Sequence, residues 1–175
     1  MREIYDTLFK KMSEKGLQPK KQNVSVNVTV NGYSVDLVPA KRQNSYSEDH
    51  SLYRRRADTW TKTNVATHIG HVSRSGRMAE IRILKLWRDQ KDLDFPSFYL
   101  ELTAIAALSG ATGGLSERVW KAFHYLRDTF PNARVIDPAN TNNIISDDLS
   151  AAGRDKIKSA AAAALKASNW SQIMR

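Results

Sequence analysis

The residues able to do chemistry in this chain are few, and they are spread along it. Asp36 is the lone carboxylate on the polar side of an alternating stretch. A carboxylate held on a rigid strand over an open cleft is how two-metal phosphoryl-transfer sites hold magnesium, and a solvated surface aspartate shows the same local pattern. Lys85 sits among Ile81, Ile83, Leu84, Leu86 and Trp87, so its ammonium either snorkels from a buried stem or points at an anion. Ser97 follows Pro96, a residue favoured at the first helical position. A first-turn hydroxyl beside free backbone N–H groups and the positive end of a helix dipole either cradles phosphate or caps the helix. Glu101 is the only charge between Phe98 and Leu108; a charge in so apolar a helix needs a salt-bridge or hydrogen-bond partner. Arg54, Arg55 and Arg56 form a run that would grip phosphates or simply face solvent.

Other patterns fall short. Asp92-Leu93-Asp94 has a D-x-D spacing, but it lies in a loop, where its acids favour the N-terminus of the next helix. His68 and His71 are three apart with no third ligand in view for zinc. There is no cysteine, which excludes disulfides, thiolate metal sites and cysteine nucleophiles and fits a cytoplasmic protein. Neither a G-x-x-x-x-G-K-[ST] loop nor a G-x-S-x-G elbow occurs.

These residues must be positioned by a short sheet and a helical bundle. Ile4, Leu8 and Met12 recur at four-residue spacing, which predicts an amphipathic helix over 1–15 stopped by Gly16. Val24, Val26, Val28 and Val30 alternate with polar residues, Asn31-Gly32 follows, and Tyr33, Val35 and Leu37 alternate again. That is a β-hairpin on a two-residue type I′ turn, and the turn sets the register: Val30 opposite Tyr33, Val28 opposite Val35, Asn27 opposite Asp36. One face is apolar and covers a core; the other carries Ser25, Asn27, Thr29, Ser34 and Asp36. Residues 41–58 read as a long polar loop with room for one short strand near Tyr53. Helices are predicted over 63–73, 78–90, 96–109, 116–130 and 150–168, with 137–143 as a turn-rich connector.

At 175 residues, 41% of them hydrophobic, the chain is one domain or one lobe of a larger protein. Its mean hydropathy is −0.51, and no apolar run approaches the roughly 18 residues of a membrane span. The formal charge of +9 favours nucleic acid, nucleotides or an acidic surface as partners.

In order, several motifs resemble the polymerase-β-like nucleotidyltransferases, closest to the oligoadenylate synthase and cyclic GMP-AMP synthase-like branch with its bacterial cyclic-oligonucleotide synthases. Val35-Asp36-Leu37-Val38-Pro39-Ala40 resembles their last catalytic strand. Trp60-Thr61-Lys62-Thr63-Asn64 with His68 resembles W-x-x-T-[DN]-P-x-x-H, with Val65 in place of the proline. Lys85-Leu86-Trp87 and Pro96-Ser97-Phe98-Tyr99-Leu100-Glu101 resemble their K-x-W and P-S-x-x-L-E helices, and Asp137-Pro138 with Asn142-Asn143 resembles D-P-x-x-x-x-N.

The resemblance implies an α+β fold: part of an antiparallel palm sheet over 1–58, then a helical nucleotide-binding lobe over 59–175. It implies Mg²⁺-dependent transfer of a nucleoside monophosphate from a nucleoside triphosphate to a ribose hydroxyl, with a place in antiphage defence. Asp36 would be the third metal-site carboxylate, assisting the base for the attacking hydroxyl. Lys85 and Ser97 would hold the triphosphate, Phe98 would stack on the base, and Glu101 would be structural. The family's Gly-Ser turn and paired carboxylates should precede Asp36, yet residues 1–35 offer no such pattern. The expectation is a truncated chain, inactive alone or completed by a partner chain that supplies the missing palm strands, with a hairpin edge prone to self-association. The rival expectation is a non-catalytic basic helical module that binds nucleic acid.

Overall fold

The computed structural model describes residues 2–174. By its internal contacts the chain divides into two compact units, Met1–Thr67 and His68–Arg175.

The first unit opens with helix α1, Arg2–Glu14; position 1 of the expected helix lies outside the described residues. The helix ends at Gly16, whose φ of 77° lets the Leu17 N–H reach back to the Met12 carbonyl, a terminus that glycine adopts without a Cβ penalty. Tyr5 is fully buried, with Leu8 and Phe9 beside it, while Ile4 is exposed. The buried stripe is therefore rotated from the expected Ile4–Leu8–Met12 line, because the Tyr5 ring packs on Tyr53 and its hydroxyl donates to the Gln22 and Ser25 carbonyls at 2.8 and 2.9 Å.

Strands β1 (Lys20–Lys21), β2 (Val26–Val30) and β3 (Tyr33–Leu37) form an antiparallel sheet in that order. The hairpin has the expected register, with Asn27 opposite Asp36 and Val30 opposite Tyr33. Asn31 and Gly32 have φ of 51° and 80°, the two positive values a type I′ turn demands. Its apolar face is covered only near the base: Val26 and Val28 are buried, whereas Val30, Tyr33 and Val35 are exposed. Ser25, expected on the open polar face, is buried and bonded to Gln22.

Residues 41–58 hold more strand than expected: the short strand near Tyr53 is present, and it is paired on both sides. Strands β4 (Ala40–Arg42), β5 (Asp49–Arg54) and β6 (Thr59–Asn64) make a second antiparallel sheet. These strands are polar, and cross-strand pairs hold them: Asp49 of β5 accepts from Asn64 at 2.9 Å and from Lys62 at 3.3 Å, both on β6. Their stabilisation comes from neighbours brought in by the fold, which local propensity does not report. The helix expected from Thr63 accordingly starts later, since Thr63 and Asn64 end β6.

Helix α2 spans Val65–Ser73, α3 Met78–Gln90, α4 Ser97–Ala107 and α5 Leu115–Asp128. A hairpin of β7 (Ile136–Asp137) and β8 (Asn140–Ile144) precedes α6 (Ala151–Leu165) and α7 (Trp170–Ile173). The stretch expected as a connector at 137–143 is thus paired β structure. The helical unit has its own core, centred on Trp87, Phe95, Tyr99, Phe123 and Phe130. Glu80 of α3 is buried and ion-paired with Arg118 of α5 and with Arg77. Those arginines donate to the carbonyls of Gly113 and Ala111, clamping the turn between α4 and α5. Among the described residues no helix is long and apolar enough to cross a membrane.

Candidate functional site

In the helical unit α3 and α4 set the candidate site. Lys85 projects from α3 and forms an ion pair with Glu101 of α4, so the lone acid of α4 has the partner it requires. The pair is half-exposed at 31% and 18%; one of the three ammonium donors is committed and two remain. Three residues on, Arg88 shares that side of the helix. Its Nη1 donates to the Ser97 hydroxyl at 2.9 Å and to the Phe95 carbonyl at 2.9 Å.

Ser97 opens α4. It is exposed, and its hydroxyl makes no capping bond to the helix backbone. The first intrahelical bond runs from Leu100 N–H to the Pro96 carbonyl, which leaves the earlier amides of α4 without an intrahelical acceptor. Together the free amides, the Ser97 hydroxyl and the Arg88 guanidinium sit at the positive end of an 11-residue helix. Sequence reading missed Arg88. Its signal was the i,i+3 spacing from Lys85.

Phe98 stacks on His68 with ring centroids 4.2 Å apart and planes 33° apart. The two rings, with Ile69, Val72, Met78 and Glu101, line an open cavity of about 250 Å³. His68 is oriented from behind: its Nε2 donates to Asp137 Oδ1 at 2.7 Å. Asp137 is buried and also accepts from the Ala139 amide at 2.8 Å and Asn143 Nδ2 at 3.1 Å. Burial pushes the Asp137 carboxyl up, but the hydrogen bonds from His68, Ala139 and Asn143 outweigh it and hold the group below the usual carboxylate range. The His68 and Asp137-Pro138 motifs, 69 residues apart, are thereby one device that fixes the ring under Phe98.

Asp36 belongs to the first unit. It is exposed on β3, and Asn27 Nδ2 donates to its Oδ1 at 2.8 Å and to Ser34 Oγ at 2.8 Å. Among the described residues no group of three or more His, Asp or Glu side chains is placed to hold a metal. One carboxylate does not make a two-magnesium site, so the donor set on this chain does not fit Mg²⁺ by itself.

No known protein family and no curated protein matches this chain. Solved structures do match. E. coli CdnC, solved with ATP, is 20% identical over 98% of this chain and 71% of its own, with a TM-score of 0.70. The same protein in complex with HORMA-deltaN matches at 20% identity and a TM-score of 0.70, over 98% of this chain and 70% of that one. The Vibrio cholerae cyclic AMP-GMP synthase DncV, solved with a linear intermediate, is 16% identical over 94% of this chain and 52% of its own, with a TM-score of 0.67. The chain therefore has the α+β fold of these proteins, with small antiparallel sheets and helices, and spans about half the length of DncV.

Proposed function

We propose that this chain is the nucleotide-holding part of a nucleotidyltransferase of the oligoadenylate and cyclic GMP-AMP synthase-like branch. The reaction of the complete protein is transfer of a nucleoside monophosphate from a nucleoside triphosphate to a ribose hydroxyl, giving an oligonucleotide or cyclic oligonucleotide, with a role in antiphage defence in the cytoplasm. The observation that carries the reading is the grouping on α3 and α4 of Lys85, Arg88, Ser97 and the free α4 amides, with Phe98 beside them, in a chain whose fold matches a structure solved with ATP.

In this reading Lys85 and Ser97 bind the triphosphate, Arg88 orients the Ser97 hydroxyl, and Phe98, backed by His68, offers its ring to the base. Asp36 contributes one carboxylate to the metal site. The Mg²⁺ of the complete enzyme needs further carboxylates, from other palm strands of the polypeptide or from a partner chain. The chain by itself binds nucleotide weakly and transfers nothing.

Isothermal titration of ATP into the full chain and into Lys85→Ala tests the assignment. Lys85→Ala should weaken binding about tenfold, equivalent to about 1.4 kcal/mol. Equal affinity in both removes the triphosphate role of Lys85. Strong, salt-sensitive duplex binding without ATP binding would move the chain to the nucleic-acid module that its +9 charge also suits.

A further inference from the structure

The cavity beside Phe98, about 250 Å³, has room for one nucleobase, and its wall is almost wholly apolar. Phe98, Ile69, Val72 and Met78 supply that wall, with Ile69 63% and Met78 38% exposed. Three polar side chains reach it, and each already has a partner. His68 has its Nε2 on Asp137 and its ring face on Phe98. The Glu101 carboxylate is paired with Lys85. The Ser73 hydroxyl is turned to the Gly70 carbonyl at 3.5 Å. Glu101 also joins this cavity to the phosphate cradle, since it lines the one and pairs with Lys85 of the other.

We propose that this cavity selects a base by ring area alone: purines over pyrimidines, with adenine and guanine taken alike. The inference rests on the nucleotidyltransferase reading above and adds the substrate class to it. Reading by hydrogen bonds and reading by surface differ in the size of their effect. A site built to bond a particular substrate group rejects an analogue without it by about 10⁴-fold or more, because its own polar groups are then stranded. An apolar wall strands nothing and discriminates by roughly 10–200-fold per methylene.

Every base has a π-face, so stacking on Phe98 accepts them all. Two fused rings cover more of Phe98 than one ring does, and burial scales with the area covered. Met78 is unbranched and flexible, so it closes on bases of different outline. The exocyclic groups that separate adenine from guanine lie at the base edge. There the cavity offers no side chain without a partner among the described residues. Because the cavity is open, that edge keeps its water and neither purine is penalised.

Isothermal titration of the full chain with ATP, GTP, CTP, UTP and purine riboside triphosphate, which lacks the exocyclic groups, tests this. The three purines should bind within about threefold of one another, and CTP and UTP about tenfold more weakly. Phe98→Leu keeps the apolar character and removes the ring, so the purine advantage should shrink to about twofold. Ile69→Ala takes away wall without touching a polar group and should weaken all five by a similar factor. A gap among the three purines beyond that threefold, in a chain that Lys85→Ala still weakens, overturns this inference and leaves the nucleotide reading standing. A purine advantage that survives Phe98→Leu, or an Ile69→Ala chain that separates ATP from GTP, overturns it as well. If no triphosphate binds, or Lys85→Ala binds all five as the unchanged chain does, the nucleotide reading falls and takes this inference with it.

Discussion

Replacing Glu80 with Gln tests what holds the helical unit together. Glu80 is 1% exposed, and its carboxylate answers two guanidinium groups, Arg118 and Arg77. Removing one member of a buried ion pair costs about 3–5 kcal/mol, because the remaining charge is stranded. The arginine side chains are 25% and 19% exposed, so they recover water, and about 3 kcal/mol is the expected loss at neutral pH. For a unit of roughly 100 residues that lowers Tm by about 12 °C. Trp87, Trp120 and Trp170 all lie in this unit, so tryptophan fluorescence follows its denaturation.

The pH profile supplies an independent check. Burial raises the Glu80 carboxyl, but bonds from its own backbone and from Arg118, with the charges of Arg118 and Arg77, win and hold it low. A depressed folded value means the stabilisation is present above the unfolded carboxylate value of 4.5 and is lost as pH falls through the folded value. The stability gap between wild type and Glu80→Gln should therefore close in acid. A loss under about 1 kcal/mol at neutral pH, or a gap that stays constant to pH 2, would refute the reasoning.

Tyr5→Phe should cost about 1 kcal/mol by chemical denaturation, since it strands the Gln22 and Ser25 carbonyls that the hydroxyl now serves; no loss would mean that water replaces it. Asp137→Asn should cost about 2 kcal/mol at neutral pH by removing the charged acceptor behind His68. Because the Asp137 carboxyl is held low, that cost too should fade in acid. Should the variant melt like wild type at pH 7, the triple acceptor role of Asp137 fails.

Where structure follows from neighbours in the chain, the sequence was enough. Asn31-Gly32 can only make one kind of tight turn, and with it came the register that sets Asn27 against Asp36. The α3 boundaries match their expected range of 78–90, and the ends of α4 and α5 fall one or two residues from theirs, since apolar periodicity and the Gly and Pro stops are local signals. The pairing of Glu101 with some partner followed from its isolation in an apolar helix.

Tertiary structure decided the rest. β4, β5 and β6 carry no apolar alternation, and Asp49, Lys62 and Asn64 hold one another only once the strands are side by side. Tyr5 displaced Ile4 from the buried stripe because Tyr53, 48 positions along, supplied the matching ring. The i,i+3 spacing puts Arg88 on the Lys85 side of α3, but its bond to Ser97, like that of His68 to Asp137, joins different elements and no spacing rule encodes it. A short-range preference is written in backbone sterics and side-chain period; a partner for a charge, a ring or a hydroxyl is chosen by packing, and packing exists only after the chain has closed on itself.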